Sequence, residues 1–355
     1  MKKTASSTKI DLNFGKVLNN RIDAYFKENN IHNKMNNSMR FKIVFSFLWW
    51  TGSFALLFLW DLSYWQFLLL YIFHGLSQVL MALGIAHDAN HSAISSKPRI
   101  NKLFSYAFDI CGVSSFNWRA MHNRGHHHCI NVHGEDIALA KGGTIRMSTK
   151  EPKQDKHKYQ HIYVWFLYSL YTLDYVFVRD FKYIFSKNIS AMKNVRSSKV
   201  DIFTIFTSKI FYLGYMIVIP SIFLDFSVWL ILAAFVITHL ITGLIMLLTF
   251  QTSHIVHDTT YSESKDEHRN FFEHVFATTS DYGLKNRLFT WYVGGLNLHV
   301  IHNFAPGICH INYPALTHIV QSTADEFNVN YRQNRSLVQV VVSHYKLLKG
   351  LGKEN

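Results

Sequence analysis

Cysteine, charge and acidity are all scarce in this chain. The three cysteines among 355 residues, Cys111, Cys129 and Cys309, are odd in number, widely spaced and without a CxxC pair. They exclude a disulfide framework and point to a reducing compartment. Charged residues make up 17% of the chain against 49% hydrophobic and 15% aromatic, a balance poor in charge for a soluble protein. The mean hydropathy of +0.04 nevertheless requires a large polar portion beside any spanning segments. No apolar stretch follows Met1-Lys2-Lys3, so the start does not read as a cleaved signal peptide.

The 23 acidic residues face 36 Lys and Arg, a formal net charge of +13. The basic residues lie in an N-terminal arm and in long loops and avoid the apolar runs, which fits a positive-inside membrane protein and not a nucleic-acid binder. Residues 1–40 read as a cytoplasmic arm without an apolar core, lying against anionic lipid. Apolar runs of about membrane length are expected to span at 41–60, 64–86, 203–224 and 228–250, as two hairpins with the short turns Asp61-Leu62-Ser63 and Asp225-Phe226-Ser227. Lys209 is expected to snorkel to the interface and Pro220 to kink its helix. The stretches 103–118 and 159–178 carry Asp109 and Asp174 and are expected to be re-entrant or interfacial. His74 and His239, inside spans, read as packing residues. Neither hairpin turn holds Lys or Arg, so both point outward. Both termini and every histidine cluster then share the cytoplasmic side, with 41–352 as one domain and 353–355 as a tail.

Against this background, histidine is abundant: 21 residues, four of them in the seven from His122 to His128. On a regular helix His122 and His126 lie one above the other, with His127 about 100° round, so three imidazoles could converge. His87 and His91 form an i, i+4 pair after the second run, His254 follows the fourth, and His299 and His302 form an i, i+3 pair. Eight histidines at one membrane boundary are too many for one metal. Two metals with open positions and nitrogen ligands suit non-haem iron that activates oxygen, and the adjoining hairpins make an apolar chain the expected substrate.

Several of these motifs occur together and in order. They are HDANH (87–91), WRAMHNRGHHHCIN (118–131) followed by Asp136, YQHIYVWFLY (159–168), FQTSH (250–254), HVFATT (274–279), GGLNLHVIHNFAPGICHINYPAL (294–316) and SHYKLLKGLG (343–352). Through them the chain resembles the membrane fatty acid desaturases, and within them the bacterial linoleoyl-CoA or front-end branch. The resemblance implies an all-α integral membrane fold of four spans with a cytoplasmic helical cap, in a bacterial inner membrane. It implies a di-iron centre held by His87, His91, His122, His126, His127, His254, His299 and His302. Asn131, Asp136, His128 and His310 would stand behind these ligands. It further implies insertion of a C=C bond into an acyl chain carried on CoA, lipid or acyl carrier protein. Electrons would come from a separate ferredoxin or cytochrome, because the chain has no His-Pro-Gly-Gly haem motif. The third box departs from the branch pattern Gln-x-x-His-His: it begins with His299 and ends with Asn303, an amide that is a weaker ligand than imidazole. Acyl hydroxylation, triple-bond formation or a metal-poor binding role are the alternatives that this change raises.

Overall fold

The computed structural model describes residues 13–139, 142–186, 197–262 and 270–354. Lys2, Lys3 and Lys9 of the arm, and the loop bases Lys187, Lys193 and Arg196, lie outside the described residues. The regular structure described is helical apart from one two-residue parallel pair, β1 (Asp281–Tyr282) beside β2 (Gln333–Asn334), and a single bridge between Val132 and Ser262.

Three described helices are long and apolar enough to cross a membrane: Tyr64–Asn90, Lys199–Phe223 and Val228–His254. The helix over the first expected span, α2 (Asn37–Leu56), is not among them; its twenty residues include Arg40, Lys42, Ser46, Thr51 and Ser53. We label the other three α3, α9 and α10. Their outer faces expose large apolar side chains such as Leu69, Phe203, Ile210 and Trp229, and contiguous apolar surface of this kind suits contact with lipid. α3 and α10 each run past the expected end of the span by about one turn, carrying His87 and His254 inside the last turn of the helix itself.

The arm is more ordered than its composition suggests. α1 (Asn13–Glu28) buries Phe14, Leu18 and Ile22 at helical spacing. They pack with Val320 and Ala324 of α14 (Tyr313–Glu326), and Arg21 pairs with Glu326 at 2.6 Å. The expectation of an arm without an apolar core is therefore corrected: α1 carries an apolar stripe that is completed from the far end of the sequence.

Lys209 does not snorkel. It is 4% exposed and donates to Asp180 at 2.6 Å and to the carbonyls of Gly112 and Tyr175. Asp180 also accepts from Ser114 N and from the Asn117 amide. This buried, fully hydrogen-bonded pair ties α9 to the segment 171–185, built of α7 (Tyr171–Asp174), a π turn at Tyr175–Arg179 and α8 (Asp180–Phe185). Pro220 cannot donate to the carbonyl of Met216 four residues earlier. A π turn at Gly214–Val218 takes up the irregularity, and Tyr71 Oη donates to the orphaned Met216 carbonyl at 2.5 Å.

Two further π turns matter for function. One, Ala82–Ala86, directly precedes His87 in α3; the other, Ala120–Arg124, follows α5 (Ser115–Arg119) and contains His122. A π turn re-aims every side chain after it, and such turns concentrate at functional sites. Gly294, at φ +65°, lets the loop before the third box pass against the first of these turns; a Cβ there would lie 2.2 Å from the Leu83 carbonyl oxygen. That loop delivers α13 (His299–Phe304), which carries the third box. Asp281 of β1 accepts from the backbone N–H of Val300 at 2.8 Å and from the Tyr331 hydroxyl, so the strand pair anchors the start of α13.

Candidate metal centre

The end of α3, the turn after α5, the end of α10 and α13 meet at one point, and their histidines form two adjoining groups. The ligand-capable nitrogens of His87, His91, His122 and His302 lie within 4.8 Å of one another, and so do those of His126, His254 and His299. His127 joins the first group, its ring centroid 4.8 Å from His91 and 4.9 Å from His302. All eight expected positions are therefore in the two groups. The helical register assumed for the second box is not what joins them. His127 N donates to His122 O, an i→i+5 bond, so these two rings face each other across the π turn with their Nε2 atoms 3.1 Å apart. His126, one residue earlier, turns to the other group.

The hydrogen bonds decide which nitrogens are free. His126 Nδ1 lies 2.9 Å from the Asp136 carboxylate, His254 Nδ1 3.2 Å from the Thr278 carbonyl and His299 Nδ1 2.8 Å from the Leu296 carbonyl. Carbonyls and carboxylates only accept, so each Nδ1 carries the proton and each Nε2 presents a lone pair. Yet His126 Nε2 and His254 Nε2 stand 3.3 Å apart. Two lone pairs at that distance repel unless a cation lies among them. In the first group, both nitrogens of His87 and the Nε2 atoms of His91 and His302 are buried without a hydrogen-bond partner, an arrangement costly in a dry site without a metal. Burial holds His91, His122, His127 and His302 well below the ordinary histidine pKa and lowers His299 to about 3. All are neutral at physiological pH, the form that binds metal. The donor set thus fits two metal ions.

A third cluster, Asp88, Cys309 and His310, also has metal-like spacing, but the amine of Lys42 already serves it. Lys42, fully buried in α2, reaches His310 Nε2 at 2.9 Å and the Trp291 carbonyl, while His310 Nδ1 donates to Asp88 at 2.8 Å. Lys42, His310 and Asp88 form a chain that ends beside His87. His310 therefore backs Asp88 and not a metal-facing ring. Asp136 holds a ring directly and also accepts from Asn131 N and Ala138 N. Asn131 is elsewhere engaged: its amide donates to the carbonyls of His254 and Thr260, tying backbones together without touching an imidazole. His128 is exposed and makes none of the contacts that join the other histidines; one residue beyond His127, it is turned out of the cluster. It does not stand behind the ligands. Asn303 is buried, its Nδ2 donates to Thr279 Oγ1 at 2.9 Å, and its Oδ1 has no partner.

Sequence reasoning did not find Lys42, Asp88, Tyr313 (3.2 Å from His302 Nδ1) or the two carbonyls. Lys42 sits inside an apparent span, and the carbonyls leave no side-chain signal. His74 and His239 are packing residues as expected, bonded to Ser53 and to Tyr212 and Thr172.

A cavity of about 260 Å³ opens on the histidines. His122, His126, His254 and His299 form one wall, Trp118, Tyr171, Leu247 and Phe250 the apolar walls, and Asp174, Arg179 and Lys182 also line it. Arg179 pairs with Asp174 at 2.5 Å and lies over the Tyr175 ring at 4.5 Å. Such a slot admits a chain of methylenes and presents it to the metal positions.

Comparison with known proteins agrees with this chemistry. A family model described as fatty acid desaturase matches residues 62–335. The chain is 30% identical over 346 residues to an sn-1 linoleoyl-lipid 6-desaturase of Synechocystis sp., covering 96% of both proteins. It is 31% identical over 340 residues to an acyl-lipid (8-3)-desaturase of Physcomitrium patens, covering 95% of this chain and 71% of the relative. It is 28% identical over 353 residues to an sn-1 linoleoyl-lipid 6-desaturase of Arthrospira platensis, covering 98% and 95%.

Proposed function

The chain belongs to the fatty acid desaturase family and is an oxidoreductase of fatty acyl chains; from that premise we propose how its residues do the work. Two iron ions are held by the two histidine groups, one by His87, His91, His122, His127 and His302, the other by His126, His254 and His299, with Asn303 beside the second as a weak oxygen ligand. When bound, the irons supply the oxygen-dependent oxidising power that no side chain has for an unactivated C–H bond. In net terms the two hydrogens lost from adjacent carbons, with two electrons from an external donor and two protons from solvent, would reduce one O₂ to two waters.

The rest is done by the chain's own residues. Trp118, Tyr171 and Phe250 hold the acyl chain straight against the histidine wall and exclude water. Asp136 and the carbonyls of Thr278 and Leu296 keep the Nδ1 protons in place, so that Nε2 alone faces inward. Arg179 and Lys182, among the cavity's lining, suit the acidic end of an acyl carrier, whether lipid, CoA or acyl carrier protein. α2 is the fourth span, the hairpin turns face outward, and the histidines and termini are cytoplasmic, where the basic surface suits an acidic ferredoxin or a cytochrome as donor.

The observation that supports this reading is the meeting of the two histidine groups, the Nε2 lone pairs of His126, His254 and His299 turned inward and the buried nitrogens of His87, His91 and His302 left without a hydrogen-bond partner. The test is iron content and product together. Protein reconstituted without oxygen should hold two irons per chain, and its expression should introduce a double bond into membrane acyl chains. Substantially fewer than two irons, or a hydroxylated product, would overturn it.

A further inference from the structure

A second cavity, of about 890 Å³, shares no lining residue with the one at the histidines. It lies between α12 (Arg287–Tyr292), the start of α14 and the first turn of α2 at Ser38. Every ionisable side chain that lines it is basic or histidine: Lys285, Arg287, His310 and His318, with no carboxylate. Lys285 and Arg287 are exposed, and among the described residues neither has an acidic partner. Deeper in, Thr317 lines the cavity and is 2% exposed. Leu284, Trp291, Ile311 and Pro314 give it an apolar wall, and Ser38, Thr290, Gln321 and Gln333 add neutral polar groups.

The position of this slot selects its occupant. The Trp291 ring meets Phe45 of α2 at 5.6 Å, and Phe45 stacks on Phe41 at 6.1 Å. Phe41, Val44 and Leu48 leave α2 with an exposed apolar face. The cavity is thus apolar where it adjoins a helix face suited to lipid tails and cationic at Lys285 and Arg287. A free small anion would leave the apolar wall wet, and a zwitterionic head group would bring a cation to a site that already holds two.

We propose that this cavity binds an anionic glycerolipid, with its phosphate diester at Lys285 and Arg287 and an acyl chain along Trp291 toward Phe45. The lipid is a bound companion and not the substrate, since the slot is separate from the cavity at the metal centre. Because His310 lines the slot and bonds Asp88 beside His87, the lipid also braces the first histidine box from outside. The proposal rests on the membrane placement of α2 given above and not on the reaction, so the two fail separately.

Native mass spectrometry of the full iron-loaded protein, released from nanodiscs of phosphatidylcholine with a minority of phosphatidylglycerol, tests it. One phosphatidylglycerol should be retained per chain in preference to phosphatidylcholine. The double variant Lys285→Glu, Arg287→Glu should bind it about 30-fold or more weakly, at about a factor of five for each lost surface cation, with iron content unchanged. Equal retention of phosphatidylcholine would overturn the proposal, as would unchanged phosphatidylglycerol binding in the double variant. So would displacement of the lipid by an equal concentration of inorganic phosphate, which would make the slot a small-anion site.

Discussion

The two histidine groups adjoin each other but are held in opposite ways. In the second group each ring is fixed by its own acceptor: Asp136, the Thr278 carbonyl and the Leu296 carbonyl. In the first, His302 meets the Tyr313 hydroxyl, while neither nitrogen of His87 makes a hydrogen bond and the Lys42–His310–Asp88 chain comes only to 3.9 Å, from Asp88 Oδ1 to His87 Nδ1. The second group is therefore shaped by the protein before a metal arrives. The first is shaped by how α3, α5 and α13 pack, and by the metal itself. Perturbations should separate the two.

The largest effect should come from removing a ring that the protein has already aimed. His126→Ala should abolish product and leave about one iron per chain, whereas His128→Ala, an exposed residue, should keep both. Iron analysis beside acyl-product profiling reads this, and the reverse pattern would show that the π turn divides the second box differently. Next in size is Lys42→Met. It leaves His310 Nε2 and the Trp291 carbonyl buried without their hydrogen-bond partner, a loss that costs about 1–3 kcal/mol. The expected result is a lower unfolding midpoint in detergent, with the second group's metal affinity nearly intact in the protein that remains folded.

Asp136→Asn sharpens the contrast from the other side. The amide fills the same space but can face His126 Nδ1 with a donor, which releases the ring's proton constraint; loss of such a partner weakens metal binding by roughly 10–100-fold. Chelator competition should show one weakened iron of the two. A change in both would mean that the groups do not load independently.

The pH dependence follows from burial. His299 is lowered to about 3, against about 6.5 for a free imidazole. Between these values the unfolded chain takes up a proton that the folded chain refuses. Its contribution is thus complete above pH 6.5 and is lost as pH falls toward 3, by up to about 1.4 kcal/mol per pH unit for each such ring. His91, His122, His127 and His302 shift in the same direction. Metal-free protein should therefore lose thermal stability steeply from pH 6.5 to 5, and the iron-loaded protein much less. Parallel curves would argue against neutral rings at the site.

The contrast between the groups also marks what sequence could reach. The eight histidines and Asp136 were legible because ligand chemistry restricts residue type, and the order of the boxes is a long pattern. Their division was not, because it depends on a π turn at Ala120–Arg124, which moves His127 by one i→i+5 bond and has no residue signature. Lys209 read as a snorkelling residue because its partner, Asp180, is 29 positions away on a different segment. α1 read as a bare arm because the core it joins is built from α14, some 300 residues later. For Lys209 the missing information was a tertiary partner; for α1 the stripe of Phe14, Leu18 and Ile22 was itself in the sequence, and only the surface that buries it was not.

Asn303 is where the comparison can be pushed furthest with the smallest change. Its amide is oriented by Thr279, and its free Oδ1 is buried, so it can complete the three-imidazole group only as a neutral oxygen donor. Asn303→His would exchange that oxygen for an imidazole nitrogen, at the loss of the Thr279 bond, worth about 1 kcal/mol. If Asn303 stands beside the second metal, the gain in ligand strength exceeds that loss, and affinity for the second iron should rise several-fold, up to about tenfold. The first iron should not change, since its rings share no hydrogen bond with Thr279. Stepwise anaerobic iron titration, with the product profile as a second readout, tests this. A rise confined to the first iron would place Asn303 with the wrong group, and a loss of both irons would mean that the Thr279 bond holds α13 in position.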